Sequence, residues 1–219
     1  MRVLYLRPEG SEVPQLDNVD VLNVPLFSPK CIDYSFKSET EAVGFTSVNS
    51  VRCFKDFDKI SDLKVFSIGP VTAEELLKHG IRSEYPSKYT SKDLARLVLE
   101  RRVRHFTSFR SAKASSEMKG MLNLISYQEI FNYDLVLNEA KVQDAKKILE
   151  ECSVQMVVLT SSLIAKTVAN FLRDCYKVIS IGPMTSATLR SVKPELSFIE
   201  SDISTIEGTI QEIEKFLRR

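Results

Sequence analysis

Short apolar runs alternate with longer amphipathic stretches along almost the whole chain. The apolar runs are brief, rich in β-branched residues and mostly without polar alternation, which is typical of strands covered on both faces. The predicted strands are Val3–Leu6, Val21–Val24, Ala42–Thr46, Val65–Ile68, Val103–Thr107, Leu122–Tyr127, Val154–Thr160 and Val178–Ile181.

The stretches between these strands have the residue spacing of amphipathic helices. One helical face is apolar in each of three stretches, through Leu94, Leu97 and Val98, through Val142, Ala145, Ile148, Leu149 and Cys152, and through Ile206, Ile210, Ile213 and Leu217. Alternation of strands and helices predicts an α/β fold with mainly parallel sheets flanked by helices.

Three short motifs occur twice, in the same order. The pairs are Thr46-Ser47 with Thr160-Ser161, Ser67–Ala73 with Ser180–Ser186, and Thr90–Leu94 with Thr205–Thr209. Their separations are 114 (160 − 46), 113 (182 − 69) and 115 (205 − 90) residues. Such constant separation indicates a duplicated unit of about half the chain. We therefore expect two similar domains that face each other across a cleft.

The repeated motifs lie where strands end and helices begin, which is where ligands bind in parallel α/β sheets. In the turn of residues 68–73, Gly69 allows close backbone approach and Pro70 stiffens the chain. Thr72 is predicted as a helix N-cap, with Glu75 completing a capping box. Ser204 and Glu207 predict a similar box before the last helix.

Hydroxyl groups precede two further predicted helices, in Thr46-Ser47 and in Thr160-Ser161-Ser162. Free N–H groups and the helix dipole make such helix starts suitable for anions. Ser and Thr are equally common as N-caps where nothing binds. The motifs therefore predict either anion sites or simple capping at each single position.

Composition narrows the functional classes. With 30 basic and 29 acidic residues, the net charge is +1, which argues against a nucleic-acid partner. No apolar run reaches the roughly 18 residues of a membrane span, and the N-terminal apolar run is too short for a signal peptide. Four scattered cysteines predict reduced thiols in a cytoplasmic protein, and two histidines argue against a metal centre.

Motifs for nucleotide cofactors are missing from the sequence, because neither a P-loop nor a G-x-G-x-x-G follows a predicted strand. Two histidines also give no convincing Ser/His/Asp set. We expect an enzyme, if this is one, to need no cofactor. It would act through backbone N–H groups, hydroxyls and a Tyr or Arg on a substrate that is already reactive.

The repeated motifs resemble those of uroporphyrinogen-III synthases. That family has a strand ending in Thr-Ser before a helix, and then a Gly-Pro-x-Thr-Ala turn, in each half. Here the matching segments are Phe45–Val51 and Ile68–Ala73, then Leu159–Ser162 and Ile181–Ser186. The opening Tyr5–Glu9 is also similar to the family's usual start.

The resemblance implies two α/β domains joined by a two-stranded connector. The first domain would be discontinuous, with residues 1–28 and 133–219, and the second would span residues 33–126. Residues 29–32 and 127–132 would form the connector, in agreement with the proline-containing segment Pro25–Lys30 and the aromatic-rich segment Tyr127–Tyr133.

The resemblance also implies a reaction. The family closes hydroxymethylbilane, a linear tetrapyrrole with eight carboxylates, to uroporphyrinogen III in heme, siroheme and cobalamin biosynthesis. Loss of the terminal hydroxyl as water gives an azafulvene, and a spiro intermediate inverts ring D. Unassisted closure gives the type I isomer. The expected protein is a cofactor-free monomer, to which the upstream bilane-forming enzyme could transfer the substrate.

Site residues follow from the matched positions. The catalytic candidates are Tyr133, Thr72 and Thr185. The substrate-binding candidates are Arg7, Thr46, Ser47, Asn49, Gly69, Pro70, Ser161, Ser162, Gly182 and Pro183. The family places a tyrosine in the returning connector, where Phe131 occupies the matching column here, and Tyr127 and Tyr133 flank it. Either tyrosine, or neither, could be the proton donor.

Cations near strand ends or helix starts could compensate the substrate's charge, although a solvated role is expected for each one singly. They are Arg7, Arg52, Arg110, Lys113 and Lys166. Two other functions fit the same pattern. One is a non-catalytic two-domain sensor that binds an anion or a tetrapyrrole. The other is a phosphosugar enzyme, which should offer a clearer general base.

Overall fold

The computed structural model describes residues 1–9, 14–37 and 39–218. Ten strands, eight α-helices and two short 3-10 helices (Phe57–Ile60 and Ala169–Phe171) occur in that part of the chain. In chain order they are β1 (Arg2–Leu6), β2 (Asp20–Asn23), β3 (Phe27–Cys31), β4 (Ala42–Phe45), α1 (Val48–Arg52), β5 (Lys64–Ser67), α2 (Pro70–Leu77), α3 (Ser91–Glu100), β6 (His105–Ser111), α4 (Glu117–Met121), β7 (Ser126–Leu137), α5 (Glu139–Glu150), β8 (Met156–Leu159), α6 (Ser162–Val168), β9 (Lys177–Ser180), α7 (Pro183–Val192), β10 (Phe198–Glu200) and α8 (Ile206–Leu217).

The strands form two five-stranded sheets. Sheet A has the order β10-β9-β8-β1-β2, and all of its neighbouring strands are parallel. Sheet B has the order β3-β7-β6-β4-β5, and its last four strands are parallel. The predicted α/β fold with mainly parallel sheets is confirmed.

The chain divides into two compact units, Met1–Ser28 with Val136–Arg219, and Pro29–Leu135. Both divisions fall inside strands, β3 and β7, which are neighbours in sheet B. Ile32 N–H donates to Asn132 O at 2.9 Å, and Asn138 N–H donates to Leu26 O at 2.9 Å. Residue numbers therefore increase along β3 while they decrease along the paired part of β7, so the two strands are antiparallel.

Sheet B is covered on both faces, as the lack of polar alternation predicts. Along β4, Val43 and Phe45 belong to one buried apolar cluster, while Ala42 lies in a second cluster with Phe66 and Phe106. Phenylalanines dominate the first cluster, where Phe54 and Phe109 have ring centroids 4.6 Å apart. Burial of such rings contributes more free energy than most other side chains do.

Sequence periodicity misplaced one strand and missed two others. The predicted strand Leu122–Tyr127 is wrong, because Leu122 is the C-cap of α4 and the strand runs from Ser126 to Leu137. The segment Phe27–Cys31 is a strand despite Pro29, because it lies at the edge of sheet B, where a missing N–H is tolerated. β10 was not predicted at all.

The cysteines form two disulfide bonds, Cys31–Cys53 and Cys152–Cys175, so the expected reduced thiols are wrong. The partners are 22 and 23 residues apart in sequence. No sequence motif predicts this pairing, because it depends on Cα separations of 5.2 and 6.0 Å that only the folded chain brings about.

Within the described residues, no helix is both long and apolar enough to cross a membrane. The same residues contain no cluster of three or more His, Cys, Asp or Glu side chains that could hold a metal ion.

Candidate functional site

The candidate residues lie at the carboxyl ends of strands in both sheets. Because the strands concerned are parallel within each sheet, the turns that follow them share one edge. In sheet A this edge carries Arg7 after β1, Ser161 and Ser162 after β8, and Gly182, Pro183 and Thr185 after β9. In sheet B it carries Thr46, Ser47 and Asn49 after β4, Gly69, Pro70 and Thr72 after β5, and Tyr133 within β7.

The two Thr-Ser pairs form the same two types of hydrogen bond. Thr160 donates a hydrogen bond to the carbonyl of Leu6 at 2.8 Å, and Thr46 donates to that of Phe109 at 3.4 Å, so each threonine is tied to the neighbouring strand. Each serine is an N-cap. Ser161 accepts from Ile164 N–H at 3.2 Å and Ser47 from Ser50 N–H at 3.1 Å. The predicted hydroxyl-capped helix starts are confirmed here.

The helices that follow the two glycine–proline turns begin without a side-chain cap. Gly69 and Gly182 are the N-caps of α2 and α7, and neither helix has a side-chain cap. A proline follows at the first helical position in both, where its missing N–H costs nothing. By contrast, side-chain oxygens cap α3, α5, α6 and α8. The first turns of α2 and α7 therefore keep N–H groups that no capping side chain occupies.

The predicted capping boxes are wrong. Thr72 is the third residue of α2 and 3% exposed, and Glu75 instead pairs with Arg52 at 2.9 Å and Lys78 at 2.7 Å. The last helix is capped by Thr205, which accepts from Gly208 N–H at 3.1 Å, and not by Ser204. In α2 the proline starts the helix two residues before Thr72, which removes the threonine from the cap position.

Thr185 occupies the position in α7 that Thr72 has in α2, and it is equally buried. Both side chains therefore lie in the first helical turn after a glycine–proline corner. The two turns are therefore also alike in the burial of their threonines. Neither threonine serves as a helix cap.

Tyr133 is the tyrosine of β7 whose hydroxyl is held beside a Thr-Ser loop. Ser47 Oγ accepts from Ser50 N–H and donates its own proton to Tyr133 Oη at 2.9 Å. The proton of Tyr133 is therefore directed elsewhere. Burial raises the pKa of Tyr133, against the opposing effects of hydrogen bonds to Ser47 and Ser111 and the charge of Arg110. The hydroxyl thus stays protonated at neutral pH.

The other two aromatic candidates of β7 are placed differently. Tyr127 Oη is 2.7 Å from Ser108 Oγ and donates to Glu129 at 3.1 Å, and burial raises the pKa of Tyr127 to about 12. Its proton is therefore already used within the strand pair β6–β7. Phe131 is 42% exposed and offers no proton.

Sequence reasoning missed two residues that hold this region together. Asn132 is fully buried in β7 and donates to Ser50 O at 2.7 Å, which connects the strand to the helix that Ser47 caps. Glu129 forms an ion pair with Arg110. For Asn132 the sequence signal was a polar residue between two aromatic ones, whereas Glu129 follows Gln128 and gave no such signal.

The cations proposed from sequence differ in their surroundings. Arg110 is 1% exposed and paired with Glu129, so the solvated role expected for it is wrong. Arg52 forms an ion pair with Glu75, and Lys113 Nζ lies 3.7 Å from Asp134 Oδ2. Lys166 is exposed in the last turn of α6, and Arg7 is half-buried directly after β1. Arg110 Nε is buried without a hydrogen-bond partner.

A family model and solved structures that are similar to this chain all describe uroporphyrinogen-III synthases. The family model described as uroporphyrinogen-III synthase HemD matches residues 20–211. The structure is similar to that of uroporphyrinogen-III synthetase from Helicobacter pylori 26695, with a TM-score of 0.69, 16% identity, and coverage of 99% of this chain and 100% of that one. It is also similar to a mutant uroporphyrinogen III synthase from the extremely thermophilic bacterium Thermus thermophilus, with a TM-score of 0.58, 12% identity, and coverage of 99% and 98%. No curated protein matches the sequence.

Proposed function

Because the chain belongs to the uroporphyrinogen-III synthase family, it has that family's cyclising lyase activity in tetrapyrrole biosynthesis, and we propose that Tyr133 is its proton donor. The substrate is hydroxymethylbilane. Its terminal hydroxyl leaves as water, and attack on the substituted carbon of ring D gives a spiro intermediate. Reopening and renewed closure invert that ring and give uroporphyrinogen III.

The observation that carries the role of Tyr133 is the direction of its hydrogen bond with Ser47. Since Ser47 donates to Tyr133 Oη, the phenol proton is available to another acceptor. We assign it to the leaving hydroxyl of the substrate. The C–O bond breaks as this proton is transferred, water departs, and the pyrrole N–H loses its proton to complete the azafulvene. General acid assistance of this kind contributes about 10²–10⁴-fold to a rate.

Carboxylate recognition is assigned to the turns that follow the strands. The first turns of α2 and α7 offer N–H groups beside Gly69, Pro70, Gly182 and Pro183, where no side chain caps the helix. We assign Thr72 and Thr185 to the orientation of substrate in these turns. This role is supported by the position of both threonines in the first helical turn, where neither serves as a helix cap. Arg7, Thr46, Ser47, Asn49, Ser161 and Ser162 complete the proposed binding set.

We also assign the protein to the cytoplasm as a monomer that receives substrate from the upstream enzyme. The support is chemical, because hydroxymethylbilane closes by itself to the type I isomer. The synthase must therefore act where its substrate is produced, before that closure competes. Gel filtration of the protein alone and with the bilane-forming enzyme tests both the monomer and a transfer complex.

The activity is tested by isomer analysis. Hydroxymethylbilane is generated in situ, the protein is added, and the oxidised porphyrins are separated. We expect type III product in excess over the protein-free reaction. Type I product alone, at the rate of the blank, contradicts the synthase function and favours the alternative of a non-catalytic binding protein.

Replacement of Tyr133 by Phe tests the proton donor. We expect kcat to fall by about 10²-fold or more, because an acid is lost while the ring and its packing remain. Tyr127→Phe is the matched control on the same strand, since its hydroxyl donates within the protein, and it should change kcat much less. Thermal unfolding of both variants shows whether folding is affected. Full activity of Tyr133→Phe excludes this tyrosine from the mechanism.

A further inference from the structure

The two glycine–proline corners are each covered by one side chain, and the two side chains come from matching positions of the repeat. A Cβ built on Gly69 would lie 3.0 Å from Cγ and 3.3 Å from Cβ of Tyr89. A Cβ on Gly182 would lie 2.2 Å from Oγ of Ser204. The separation of 89 and 204 is 115 residues (204 − 89), the same as that of the adjacent N-caps Thr90 and Thr205. The glycines thus make room for the residue that precedes each N-cap.

Tyr89 is held in place but remains half exposed. Its ring lies on Gly69 and makes an edge-on contact with Tyr85, with ring centroids 6.4 Å apart. Even so, 51% of Tyr89 is exposed. Val71, the second residue of α2, is also exposed. An aromatic ring and an aliphatic side chain are therefore presented to solvent at the corner where the proposed carboxylate-binding turn begins.

We propose that Tyr89 is a substrate-binding residue, whose ring packs against a pyrrole ring of hydroxymethylbilane at the Gly69-Pro70 corner. This inference rests on the proposed function. A linear tetrapyrrole carries both flat aromatic rings and carboxylates, so its binding requires apolar contacts as well as N–H donors. Tyr89 supplies a flat surface of restricted mobility, which loses little conformational entropy on binding. Ser204 offers only a hydroxyl at the equivalent corner, so the two corners recognise different parts of the substrate.

Replacement of Tyr89 provides the test. We expect Tyr89→Ala to lower kcat/KM by about 2- to 10-fold, mainly through a higher KM, because aromatic contacts of this type contribute modestly to binding. Tyr89→Phe should keep the wild-type value within about twofold, because the ring and not the hydroxyl makes the contact. Phe216→Ala is the matched control, since Phe216 is an exposed aromatic residue in the last turn of α8 and not in a turn that follows a strand. It should leave KM unchanged.

Gly69→Ala gives an independent test of the same contact. Because the new Cβ would approach the Tyr89 ring, we expect the ring to shift and KM to rise in the wild-type background. In a Tyr89→Ala background the same change should raise KM much less, and that non-additivity is the signature of a shared contact. Additive effects of the two changes contradict the proposal.

Two outcomes separate this inference from the proposed function. If the wild-type protein forms type III product but Tyr89→Ala has an unchanged KM, the role of Tyr89 is wrong and the synthase function stands. A fall in melting temperature that accounts for all lost activity, with KM unchanged, also contradicts the role of Tyr89. If the wild-type protein forms only type I product, the function itself fails, whatever Tyr89 does.

Discussion

Gly208, in the first turn of α8, shows how a single residue type is dictated by a close backbone approach. A Cβ at this position would lie 2.1 Å from the carbonyl oxygen of Ile203 and 2.6 Å from Ser201 Oγ. The carbonyl belongs to the main chain, which cannot move aside as a flexible side chain would. Gly208 also donates its N–H to the N-cap Thr205, so the turn and the helix start depend on each other.

We predict that Gly208→Ala destabilises the protein, although alanine is normally the better helix former. The expected loss in the free energy of unfolding is about 1–3 kcal/mol, as for other overpacked sites. Gly120 in α4 is the matched control, because a Cβ there meets nothing within 4 Å. Gly120→Ala should be neutral or stabilising by up to about 1 kcal/mol. Urea denaturation of both variants measures these changes, and equal stability of the two excludes the close-approach explanation.

At the scale of elements, the strand pair β6–β7 combines buried charge with the tyrosines of the candidate site. The buried Arg110 of β6 forms an ion pair with the partly buried Glu129 of β7, and Tyr127 donates to the same carboxylate. Removing one partner of such a pair leaves an uncompensated buried charge, which is costly, whereas apolar replacement of both partners is often tolerated. The pair therefore connects β6 to β7 through their side chains.

We predict that Glu129→Leu alone destabilises the protein by about 3–5 kcal/mol, because Arg110 then remains charged and unpaired. The double variant Arg110→Met with Glu129→Leu should recover most of this loss. Glu84→Leu, which removes the partner of Arg101 in an exposed ion pair, serves as the surface control and should cost much less stability than Glu129→Leu. Denaturant unfolding of the four proteins is the measurement. A double variant no more stable than Glu129→Leu contradicts this account.

At the scale of the whole molecule, the two disulfide bonds repeat one another in position. Cys31–Cys53 encloses β4 and α1, and Cys152–Cys175 encloses β8 and α6. Each bond therefore closes a loop around one strand, its Thr-Ser turn and the helix that follows. Disulfides are rare in the cytosol outside hyperthermophiles. The proposed cytoplasmic location consequently requires a host in which such bonds persist.

We predict that the protein loses about 3 kcal/mol of stability for each disulfide removed, because a loop of this length then gains freedom in the unfolded chain. Cys31→Ser with Cys53→Ser, and Cys152→Ser with Cys175→Ser, are compared by thermal unfolding with and without dithiothreitol. The variant without any of the four cysteines is the control, and its melting temperature should not respond to the reductant. A wild-type protein whose melting temperature is equally insensitive contradicts the prediction.

The outcome for individual predictions depends on how local their physical basis is. Ser47 and Ser161 were correctly predicted at helix starts, because a cap involves only the next three residues. The capping role of Thr72 was wrong, since the glycine and proline before it start the helix earlier. The burial of Arg110 was missed because its partner lies on another strand. The roles of Tyr133, Thr72 and Thr185 in catalysis stay predictions.

The sequence by itself determined the fold class, the duplication and the family, because these depend on hydrophobic periodicity and on motifs repeated at constant spacing. Only the tertiary structure decided which cysteines pair, which hydroxyl groups Tyr127 and Tyr133 contact, and which side chains pack against Gly69 and Gly182. Each of these depends on atoms brought within a few ångströms by residues distant in sequence. Local patterns cannot encode such contacts, because the free energy that selects them belongs to the folded chain as a whole.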